Sequence, residues 1–151
     1  MSNQPPYGYP GGQQGYQGGG YPPPGAPTGK TKVLNLDYNV AAMLAYLPIC
    51  CVSLICSIIW IASEPKENKF LRFHALQSLI LTGAAVVAYF VLWIVGVIAG
   101  RIFFGFGLLF LLLDLAFLAV WLVLMIIGCV KGYQGQMWKV PVIGDMAEKN
   151  C

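Results

Sequence analysis

The stretch Ile102–Val130, IFFGFGLLFLLLDLAFLAVWLVLMIIGCV, carries one formal charge, Asp114, and no proline. A bilayer core of about 30 Å takes about 20 helical residues at about 1.5 Å each, so this run is long enough to cross. Two further runs meet the same requirement, Val40–Ala62 and Ala75–Gly100, and neither holds a formal charge. Lipid offers no water to pair with backbone groups, so each run has to satisfy its own N–H and C=O groups as a helix. The expected fold is an all-α integral membrane protein, a bundle of three transmembrane helices over about 40–62, 73–100 and 102–130.

Composition agrees. The chain is 58% hydrophobic and 10% charged, against roughly 45–50% and 25% for soluble domains. The net charge of +3 comes from lysines and arginines that border the runs, which speaks to orientation in the bilayer and gives no case for nucleic-acid binding. Residues 1–32 are a different material, rich in Pro, Gly, Tyr and Gln, with no ionisable side chain except tyrosine before Lys30. Such a stretch cannot bury enough apolar surface to offset its ordering entropy and is expected to be a disordered tail. The membrane domain is then 36–149. No basic region followed by a short apolar segment opens the chain, so the first run is read as a retained anchor.

Within the domain, Asp37 and Asn39 offer caps for the first helix and Asn68 for the second. Pro48 removes a backbone donor inside the first run, which predicts a kink or a partly re-entrant segment. Before the second run, His74, Gln77, Ser78 and Thr82 fall on one helical face, close after Arg72. Polar groups entering a bilayer turn toward protein, so this stripe is expected to face the other helices. The short turn near Gly100 and Arg101 predicts an antiparallel hairpin of spans two and three. Gly96 and Gly100 form a small-xxx-small pattern for close packing, either on a neighbouring helix of the same chain or on a second copy. Gly132 terminates the third helix, and Pro141 and Gly144 leave 131–149 as an interfacial segment.

Asp114 is the acidic group at mid-membrane depth, costly by about 3 kcal/mol on insertion scales, and so a candidate for binding a proton or cation. Its structural alternative is a hydrogen bond to Tyr89, at similar depth in the adjacent span. His74 is the single histidine, and Cys50, Cys51, Cys56, Cys129 and Cys151 include no CxxC pair, so neither a metal site nor a cofactor is expected. No nucleophile elbow, phosphate loop or carboxylate pair is present, and catalytic residues are not expected.

Two blocks carry a resemblance. Glu67-Asn68-Lys69-Phe70-Leu71-Arg72-Phe73-His74-Ala75-Leu76-Gln77-Ser78 resembles the signature before the second span of a family of small, mostly prokaryotic membrane proteins of unknown function. Lys131-Gly132-Tyr133-Gln134-Gly135 with Lys139-Val140-Pro141-Val142-Ile143-Gly144-Asp145 resembles that family's closing signature. The family is distantly similar to the twenty-kilodalton subunit of the chloroplast inner-envelope protein translocon, Tic, whose members are read as four-span channel components. The resemblance implies a multi-pass protein of a prokaryotic inner membrane.

The function expected is that of a non-enzymatic scaffold or accessory subunit of a membrane complex, with the lipid bilayer, other membrane proteins or further copies of itself as partners. The alternative is a transport or translocation component. Three spans would put the termini on opposite sides. The count of lysines and arginines is then six against three, which predicts both blocks in the cytoplasm and the tail outside.

Overall fold

The computed structural model describes residues 27–49 and 51–151. Among them the chain forms five helices: α1 (Tyr38–Ala45), α2 (Val52–Ser63), α3 (Lys69–Ile102), α4 (Phe104–Tyr133) and α5 (Ile143–Lys149). Outside the helices, one isolated antiparallel bridge joins Lys30 to Asp37. The expected tail lies, up to residue 26, outside the described residues, as does Cys50.

Among the described residues, only α3 and α4 are helices long and apolar enough to cross a membrane. The expectation of one continuous helix over 40–62 is corrected: the run folds as α1 and α2, of 8 and 12 residues. At about 1.5 Å per residue these measure about 12 and 18 Å, each short of a bilayer core. The break falls at Pro48, which cannot donate to a helix and whose ring blocks the preceding turn. Single turns flank it, with Tyr46 N bonding Met43 O at 3.0 Å and Val52 N bonding Ile49 O at 2.9 Å. The chain then doubles back. Trp60 Nε1 donates to Ala41 O at 3.0 Å, and Lys32 N donates to Glu64 Oε1 at 2.8 Å. The end of α2 thus returns to where α1 began.

Helices α3 and α4 form an antiparallel hairpin around an extended Phe103. A Cβ on Gly100 would stand 3.2 Å from Gly107 Cα, and one on Gly96 would stand 2.8 Å from Phe110 Cβ. The two glycines therefore pack against the neighbouring helix of the same chain. The hairpin is unevenly covered. All the buried residues of α3 lie between Phe70 and Thr82, where α1, α2 and α5 pack. Beyond Thr82 large apolar side chains such as Val87, Phe90, Leu112 and Leu115 are exposed, as suits a lipid-facing surface.

Glycine also sets the opposite end. Gly132 lies inside α4, which continues to Tyr133, rather than ending it. A Cβ there would meet Ala42 at 3.1 Å, and one on Gly128 would meet the Tyr46 ring at 2.5 Å. The Gly128/Gly132 face lets α1 lie against α4. After α4 a strap over 134–142 leads to α5 through Val142, whose φ of 69° is a strained value for a β-branched residue.

Candidate functional site

The polar stripe of α3 is buried at this covered end: His74 and Gln77 are 0% exposed, Ser78 1% and Thr82 7%. Asn68 starts the helix by accepting from Leu71 N at 3.3 Å, which fixes the rotation of the face that follows. Asp37 occupies the N-cap position of α1 without a side-chain bond.

Gln77 is the hub. Its Nε2 donates to Tyr46 Oη at 2.9 Å and to Trp138 O at 3.1 Å, and its Oε1 accepts from Val140 N at 3.1 Å. Both amide protons and the carbonyl oxygen are thereby used, joining α3 to α1 and to the strap. His74 Nε2 lies 3.1 Å from Gln136 O. A carbonyl only accepts, so Nε2 carries the proton. Nδ1 is then free to accept from Tyr46 Oη at 3.3 Å. The result is a directional chain from Gln77 through Tyr46 to His74 and on to the strap. Phe70, Phe73 and Tyr46 surround the imidazole edge-to-face, with centroids 4.7, 5.3 and 5.6 Å away. Ser78 Oγ donates to Ala45 O, the last carbonyl of α1, and Thr82 Oγ1 reaches Met125 Sδ at 4.0 Å.

A second cluster closes the rim. Arg72 Nη1 donates to Ile61 O at 2.8 Å and Glu64 O at 3.2 Å, capping α2 with a cation where its dipole is negative. Glu64, 4% exposed, accepts from Lys32 N and from Asn68 Nδ2 at 3.0 Å. Outside the bundle, Lys139 Nζ lies 2.6 Å from Glu148 Oε2 and 4.0 Å from Asp145 Oδ1. The hydrogen bond that Lys139 donates to Glu148 holds the pKa of that ammonium above the usual lysine value.

Asp114 stands apart from both clusters. It is 7% exposed, and its Oδ1 is buried without a hydrogen-bond partner. No bond joins it to Tyr89, which is 45% exposed and lines a lateral cleft with Thr82, Phe117, Leu118 and Trp121. The Gly96–Phe110 register of the hairpin places Tyr89 about one turn away from Asp114.

Several residues of this arrangement escape a sequence reading. Tyr46 sits in an apolar run, and the strap contributes backbone groups, which leave no side-chain signature. Gly128 and Gly132 did offer one, a second small-xxx-small pair. No group of three or more His, Cys, Asp or Glu side chains that could hold a metal occurs among the described residues.

A family model described as "Magnetosome magnetite crystal formation protein family" matches residues 37–147, from the N-cap of α1 into α5. The chain belongs to the magnetosome magnetite crystal formation protein family. Within it the two blocks are parts that meet in space, since Gln77 of the first bonds Val140 of the second, and Gln77 and His74 also bond Trp138 and Gln136 just before that valine. Among similar proteins, a UPF0132 membrane protein of Methanocaldococcus jannaschii is 40% identical over 121 residues, covering 80% of this chain and 94% of that protein. A second from the same organism is 32% identical over 116 residues, covering 77% and 71%. A UPF0132 membrane protein of Archaeoglobus fulgidus is 32% identical over 112 residues, covering 74% and 92%. No solved structure matches. The chain is thus one of a family of small prokaryotic membrane proteins; the likeness to Tic has no counterpart in these matches.

Proposed function

We propose that this protein is a non-enzymatic, multi-pass scaffold or accessory subunit of a complex in a prokaryotic inner membrane. One observation carries the reading: the buried polar stripe of α3 is engaged in holding the chain to itself. Gln77 has both amide protons and its carbonyl oxygen bonded, and His74 has both ring nitrogens in contact. Side chains so engaged favour a rigid platform over proton transfer to a substrate. The membrane setting is supported by the UPF0132 membrane protein relatives, and magnetite crystal formation is not carried over from the family's description. Purification of the intact protein in mild detergent is expected to bring down a defined membrane-protein partner or further copies of itself.

A second reading, a transport or translocation component of the kind the Tic resemblance implies, is favoured by Asp114, whose buried Oδ1 lacks a partner. Reconstitution in liposomes separates the two. Ion or peptide flux that is lost in Asp114→Asn would replace the scaffold reading; its absence supports it.

A further inference from the structure

We infer that the first apolar run is a re-entrant wedge confined to one leaflet, so that the N-terminal tail, both family blocks and the C-terminus all face the cytoplasm. This goes beyond the scaffold reading and does not depend on it. The first observation is closure. Residues 32 and 64 flank the wedge and are joined by Lys32 N to Glu64 Oε1, and Glu64 is itself tied to the start of α3 through Asn68. A segment whose two ends meet at the start of a spanning helix has not crossed. The second is depth. Near its turn the wedge is fastened by Ala45 O to Ser78, nine residues into α3. That is about 14 Å of helix, under half of a core of about 30 Å. The buried part of α3 ends soon after, at Thr82. The third is charge. With the wedge turned back, Lys30 and Lys32 join Lys66, Lys69, Arg72, Lys131, Lys139 and Lys149 on one side, leaving Arg101 alone on the other. Eight against one is a far stronger bias than the six against three of a three-span chain, and positive segments stay in the cytoplasm.

The consequence is that most of the polar chain lies on one side. The segment leaving the tail, the connection around Lys66, the strap and α5 belong to a single cytoplasmic face, and the turn at Phe103 is what the protein shows outside.

The test uses the full chain freed of its native cysteines, with single cysteines returned at Thr28→Cys, Lys66→Cys, Phe104→Cys or the native Cys151. A membrane-impermeant maleimide is applied to intact cells, and each signal is read as a fraction of that in permeabilised cells. The expected result is labelling of the Phe104→Cys variant in intact cells, with the other three reacting only after permeabilisation. Labelling of Thr28→Cys with protection of Lys66→Cys in intact cells would restore a crossing first helix and overturn the inference. Labelling of all three positions with protection of Phe104→Cys would overturn the orientation.

Discussion

Gln77 and Val140 are 63 residues apart in sequence, yet the side-chain carbonyl of one accepts the backbone N–H of the other at 3.1 Å in a buried setting. The bond lies between the two family blocks, and it ties the strap after α4 to the first third of α3. Tyr46 completes the joint by accepting from the same glutamine, so that α1, α3 and the strap share one side chain.

Gln77→Leu keeps the volume and removes three hydrogen bonds, leaving Tyr46 Oη, Trp138 O and Val140 N without this partner. A buried group left unsatisfied costs about 1–3 kcal/mol, and bonds between membrane helices average about 0.6. The expected loss is about 2 kcal/mol, read as a lowered midpoint of thermal unfolding in detergent. Unchanged stability would mean that the strap is held by something else.

Two glycines of the hairpin predict opposite outcomes. Gly128→Ala places a methyl group 2.5 Å from the Tyr46 ring and should destabilise the docking of α1. Gly83→Ala meets nothing within 4 Å, so helix propensity alone acts and the variant should gain up to about 1 kcal/mol. Unfolding of the two variants side by side checks the contrast.

Val142 adopts φ 69° and ψ −54° immediately before α5, with Ile143 N bonded to Pro141 O at 2.8 Å across it. Backbone strain of this kind costs about 1–3 kcal/mol in a residue with a Cβ. Val142 is 73% exposed, so little packing is lost on truncation. Val142→Gly should therefore raise the unfolding midpoint. A fall would show that the loop relaxes otherwise.

The stripe was legible in the sequence because helical spacing collects His74, Gln77, Ser78 and Thr82 on one face, and lipid cannot pair with them. Its partners were not, since Gln136, Trp138 and Val140 contribute backbone groups that any residue carries. Pro48 signalled a break in the first run, as a kink or a partly re-entrant segment, but could not choose between them, which takes the distant contact of Lys32 with Glu64. The pairing of Asp114 with Tyr89 matched them by depth alone. Depth does not fix rotation about the helix, and the glycine register of the hairpin places the two about one turn apart.

Asp114→Leu follows from that correction. With Oδ1 unpartnered, the leucine variant breaks no bond there and removes an insertion cost of about 3 kcal/mol, so it should be at least as stable as the wild type in detergent. A marked loss of stability would reveal a partner for the carboxyl group.

The doubling back of the first apolar run is the centre of this account, and a distance measures it. Spin labels at Lys32→Cys and Lys66→Cys, both exposed positions, can be read by pulsed electron resonance in the full, otherwise cysteine-free chain in liposomes. A wedge closed by Lys32 N on Glu64 predicts one short distance, well below the about 30 Å of a bilayer core. A distribution centred at about 30 Å or more, the separation that a crossing helix imposes, would contradict it.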